Sequence, residues 1–124
     1  MHLFDFQNYT LILSHDPCDI FRHYNVNEMH GLNLKDCTEH KNTTENAYMA
    51  GFCNLSPIDS KPFVFINLSR CSSNDIKLMG LVMHELSHLF WLLNNNNLQE
   101  KEEEIITNAE LESYKIVDII KNIQ

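Results

Sequence analysis

Between residues 76 and 93 apolar side chains follow one another almost without pause, broken by Lys77, Gly80, His84, Glu85, Ser87 and His88. Leu78, Val82, Leu86, Leu89 and Leu93 recur at helical spacing and form a core stripe. Leu81, His84, Glu85, His88 and Leu92 fall on the opposite side, and Met79, Met83, Phe90 and Trp91 fill the flanks as core residues. The pattern predicts a central helix over 74–93, with Ser72 or Ser73 as N-cap and Asp75 in its first turn. The asparagines at 94–97 end it. A second helix is predicted over 98–122, with Ile105, Ala109, Ile116 and Ile120 on one stripe.

Upstream the period changes. Residues 9–14 are a β-favouring run, and 63–68 are the strongest strand of the chain, with Pro62 tolerated only at its start or on an edge. Residues 47–53 read as a strand, 54–62 carry turn chemistry, and the two strands pair as an antiparallel hairpin. A short helix is predicted over 19–24. Residues 25–46 show no clear period and read as irregular, with a short element near 32–34; a loop this long often borders a functional cleft. The expected fold is α+β, one domain over 1–124: strands and loops through residue 70, then two helices over 73–122. A small antiparallel or mixed sheet packs on the 74–93 helix and on an antiparallel C-terminal helix.

Composition narrows this further. A chain of 124 residues supports one core, and 44% hydrophobic with 21% charged residues is ordinary for a soluble globular protein. A formal charge of −8 argues against nucleic acid as a partner. Cys18, Cys37, Cys53 and Cys71 contain no C-x-x-C pair, which removes a zinc-ribbon reading. They read as free thiols in a reducing compartment, with a Cys53–Cys71 disulfide as the alternative. No secretory leader and no uninterrupted membrane span is read, so the expectation is cytoplasmic, with no membrane partner.

The chemistry lies in His84-Glu85-Leu86-Ser87-His88. Histidines four apart on a helix project from one face, where a single zinc ion can take both, with the intervening glutamate as general base. A catalytic zinc needs a third protein ligand. If the 94–97 turn joins antiparallel helices, reflection about 95–96 puts that ligand near 103–107. Glu103 and Glu104 stand at its start. Glu104 is preferred, because it leaves Asn108 one turn on to accept the free N–H of a zinc-bound imidazole. The ordinary alternative for residues 100–104 is a solvated acidic first turn.

His84-Glu85-x-x-His88 on one helix, with Glu104 and then Asn108 on the next, resembles the gluzincin metallopeptidases. The compact order of strand, active-site helix and glutamate helix resembles the single-domain minigluzincins. Phe65-Ile66-Asn67 and the Glu104–Asn108–Ala109 segment echo the ImmA/IrrE-type peptidases. The likeness covers about residues 62–112. The metzincin pattern is absent, since Trp91 and Asn94 stand where its Gly and third His belong. The resemblance implies a minimal zincin fold, one Zn2+ per chain on His84, His88 and Glu104, and hydrolysis of a peptide or protein substrate with Glu85 as base. It also implies that Phe63, Val64, Phe65, Ile66 and Asn67 bind extended substrate by strand addition. Tyr48, His40 and Tyr114 are candidates for oxyanion stabilisation, and self-association is a further partner option. Two competing readings remain: a catalytically idle zinc-binding regulatory domain, and a metal-free buried polar network of His84, Glu85 and His88.

Overall fold

The computed structural model describes residues 1–40, 50–94 and 102–124, with the side chain of His40 outside that description. Its centre is a four-stranded mixed sheet of order β1-β2-β6-β5, built from β1 (His2–Asp5), β2 (Thr10–Ser14), β5 (Gly51–Leu55) and β6 (Pro62–Asn67). A two-stranded ribbon, β3 (Glu28–Met29) with β4 (Leu32–Asn33), stands apart from it. Four helices complete the described chain: α1 (Asp19–Tyr24), α2 (Leu34–His40), α3 (Asp75–Leu93) and α4 (Glu102–Ile123). The α+β class with a mixed sheet, the α1 boundaries and the β5–β6 antiparallel hairpin agree with the sequence expectation.

Strand periodicity sorts the core into two layers. Leu11, Leu13, Val64 and Ile66 face α3 and α4, where they meet Leu78, Val82, Leu86, Leu89, Ala109, Ile116 and Ile120. Ile12, Phe63 and Phe65 face the other way, onto Cys18, Ile20, Phe21, Met29 and Cys37. β6 is therefore covered on both faces, which is why it reads as a continuous apolar run. It also runs parallel to β2 on one side and antiparallel to β5 on the other. Both of its backbone edges are taken. Strand addition at Phe63, Val64, Phe65, Ile66 and Asn67 is ruled out on that ground, and the edge strand beside α3 is β5.

Local departures have local causes. β1 and α2 were not predicted from periodicity; β1 is only half apolar and lies at the sheet edge, and α2 is seven residues long. α3 is capped by Asn74, whose side chain accepts from the N–H groups of Ile76 and Lys77 at 2.9 and 3.2 Å, rather than by Ser72 or Ser73. Trp91 is 59% exposed, so it is not a core residue. Among the described residues α3 is the one helix long and apolar enough to cross a membrane by length and composition. Its buried stripe packs on β5, β6 and α4.

The β1–β2 turn is tied to α4 by one polar contact. The buried Tyr9 hydroxyl donates to Glu112 at 2.6 Å, and burial together with that carboxylate pushes the phenol well above its ordinary range. Lys115 sits 3.6 Å from the centre of the Phe6 ring beside it. Tyr9→Phe leaves a half-buried carboxylate short of a donor and is expected to lower stability by about 1–2 kcal/mol. A urea midpoint that does not move would contradict this.

Candidate active site

α3 presents its motif unevenly. His84 and His88 are exposed, and their rings stand edge to face with centroids 5.0 Å apart. Two zinc–nitrogen bonds together span about 4 Å, so a shared cation fits this spacing. Glu85 does not share their exposure. It lies on the flank of the buried stripe at 6% exposure, although the helical pattern assigned it to the opposite side. The exposed imidazoles also exclude the buried three-residue network as a reading of the motif.

Glu85 is seated by β5. Gly51 stands opposite Ile66 and Cys53 opposite Val64, so both face α3. A Cβ added to Gly51 would stand 2.5, 2.6 and 2.7 Å from Cγ, Cδ and Oε1 of Glu85. Only a residue without a side chain lets the carboxylate lie on the strand backbone there. Burial pushes the Glu85 carboxyl up from its ordinary value, with the neighbouring His84 pulling the other way. Cys53 shares the environment: burial first, then the Glu85 charge, pushes its thiol up to about 12.

The rim of the site is backbone. Asn67 N–H donates to the Ala50 carbonyl and Ser56 N–H to the Lys61 carbonyl, which places the alternate positions 50, 52, 54 and 56 in hydrogen-bonded pairs. The main-chain groups of Gly51, Cys53 and Leu55 therefore point away from the sheet. The Leu55 carbonyl is met by His30 Nε2 at 2.7 Å. Those of Gly51 and Cys53 have no partner among the described residues.

The third ligand expected from helix pairing is not brought to this place. Glu103 and Glu104 are exposed in the first turn of α4, and no group of three His, Cys, Asp or Glu among the described residues is arranged to hold a metal. Asn108 lines a cavity of about 480 Å³ with Phe6, Tyr9, Phe90 and Glu112. Phe90 is two residues, or about 200°, round the helix from His88. Asn108 is thus on the α4 side of α3, while the carboxylate of Glu85 leans to the β5 side. The antiparallel reflection rested on the 94–97 turn, of which residues 95–97 lie outside the described residues. Two imidazoles and a buried carboxyl fit a metal-assisted base, and among the described residues Glu104 does not join them in a metal-holding group.

Of the oxyanion candidates, Tyr114 is exposed and bonds Glu110 on its own helix, and Tyr48 and the His40 side chain lie outside the described residues. Of the other histidines, His2, His15 and His30 are exposed and His23 is half-buried against Tyr24. Cys53 and Cys71 are half-buried free thiols, and Cys18 and Cys37 are buried free thiols. Sequence reasoning missed Gly51. The available signal was an isolated glycine inside a strand pattern, which marks close approach by another group. Comparison with protein-family models, with curated proteins and with solved structures finds no match, so the chemistry of the site alone supports a function.

Proposed function

We propose that the chain is a small metal-dependent peptidase of the gluzincin-like type, with His84 and His88 as imidazole donors to one zinc ion and Glu85 as general base. The observation that supports it best is the seat of Glu85: a carboxyl held out of water on Gly51, beside two exposed imidazoles and under an edge strand. Taking a carboxyl out of water is costly to the fold, and such groups concentrate where proton transfer is needed. Zinc bound at such a site lowers the pKa of water and polarises a carbonyl. Glu85 takes the proton of the attacking water and returns it to the departing amine. The outward main-chain groups of Gly51 and Cys53 receive an extended peptide, in place of the strand 63–67 first expected. Glu104 has no part in this reading.

The competing reading is a zinc-binding domain without catalysis. Zinc content and casein hydrolysis of the purified chain separate the two. His84→Ala and His88→Ala are each expected to weaken zinc binding by at least about tenfold and to abolish hydrolysis, with unchanged helicity by circular dichroism. Stoichiometric zinc with no hydrolysis in the native chain would select the competing reading. Hydrolysis that survives both substitutions and a chelator would overturn the first.

A further inference from the structure

We propose that Cys18 and Cys37 form a reversible disulfide that joins the start of α1 to α2. Their sulfur atoms stand 2.8 Å apart, and both residues are fully buried. Unbonded carbon atoms rest about 3.5–4.0 Å apart, and sulfur is larger than carbon. Two thiols held this close are within reach of the one bond that relieves the crowding. The approach is imposed from both sides by local structure. Cys18 N–H donates to Asp16 Oδ1 at 3.0 Å, while Ser14 donates to Asp19 and Arg22 pairs with Asp16 and Asp19. On the other side, Leu34 N–H donates to the Asn27 carbonyl at 2.8 Å, and Asp36 N–H to Asn33 Oδ1 at 2.8 Å, fixing the first turn of α2. The sequence-based alternative, Cys53 with Cys71, has no such contact; Cys71 Sγ lies 3.6 Å from the Asn67 carbonyl.

The oxidant is a second disulfide, either low-molecular-weight or on a protein. One thiolate of the pair attacks a sulfur of that disulfide, which forms a mixed disulfide and releases one thiol. The other thiolate then attacks the pair's own sulfur in the mixed disulfide, closes Cys18–Cys37 and releases the second thiol. Two electrons pass from the pair to the incoming disulfide, and the two protons lost by the pair appear on the released thiols. Because both sulfurs are buried, exchange requires opening of the α1–α2 corner or takes place during folding. The bond joins positions 19 apart in the sequence and anchors α2, the last described element before β5. It stands independently of the peptidase reading.

The test is equilibration of the full chain with glutathione buffers of graded ratio, followed by denaturing alkylation and tryptic mapping. Cleavage after Arg22 and Lys35 separates the two cysteines into different peptides. The expected result is a linked Cys18–Cys37 peptide pair with Cys53 and Cys71 alkylated. The oxidised form should show a Tm higher by on the order of 10 °C, and Cys18→Ala/Cys37→Ala should abolish that difference. If that variant does not fold, Cys53→Ala/Cys71→Ala must still give the link. Four alkylated thiols at every glutathione ratio, or a link through Cys53 or Cys71, would overturn the proposal.

Discussion

Glu85→Gln is expected to lower peptide hydrolysis by about 10²–10⁴-fold and, in the same protein stripped of metal, to raise the melting temperature. The first effect follows from removing the base while keeping its shape. The second follows from burial. The carboxyl is pushed above its ordinary value of 4.5 in the fold, so the folded state favours the protonated form. Below the unfolded pKa both states are protonated and the group contributes no penalty. As pH rises through the folded pKa the carboxyl ionises on the Gly51 backbone, and the stability held at low pH is lost. Glutamine carries no charge to bury, so its advantage should appear at neutral pH and vanish near pH 3.5. Melting curves in chelator across that range, beside initial rates on casein with zinc restored, measure both effects. Equal melting temperatures at all pH values would mean that the carboxyl is hydrated, and a rate loss below tenfold would remove it as the base.

Elements carried by their own periodicity were legible in the sequence. α3 announces itself through Leu78, Val82, Leu86 and Leu89, all nearly or fully buried, and β6 through its apolar run. Whatever depended on pairing between distant segments was not legible. β6 reads the same whether it is an edge or a centre, and only the parallel partner β2, some fifty residues earlier, decides between them. The same limit applies to the site. The i, i+4 geometry of His84 and His88 is local and follows from the motif. The burial of Glu85 depends on which strand lies beside α3, and the flank of α3 that α4 covers depends on the order of helices over the sheet. Glu104 and Asn108 were assigned by a symmetry of the turn that says nothing about flanks. The Cys18–Cys37 contact was hidden for a related reason: α2 has too few apolar residues to register as a helix, so its cysteine had no face.

Gly51→Ala tests the seat of Glu85 from the opposite side. The added methyl would have to occupy space 2.5–2.7 Å from three side-chain atoms of Glu85. Those atoms belong to a flexible side chain, so the strand holds and the carboxylate swings away. Alanine also suits a strand better than glycine, which limits the loss of stability. The fold should survive with a change within about 1 kcal/mol, while hydrolysis falls by on the order of 10²-fold, because a displacement of about 1 Å is enough to misplace a proton acceptor. The decisive measurement is a double-mutant cycle. With Glu85→Ala in place the three closest contacts of the methyl are gone, so Gly51→Ala should stabilise the fold or leave it unchanged, and no further activity should be lost. Equal stability effects of Gly51→Ala in both backgrounds would mean that strand and carboxylate do not touch, and the general-base assignment would lose its structural support.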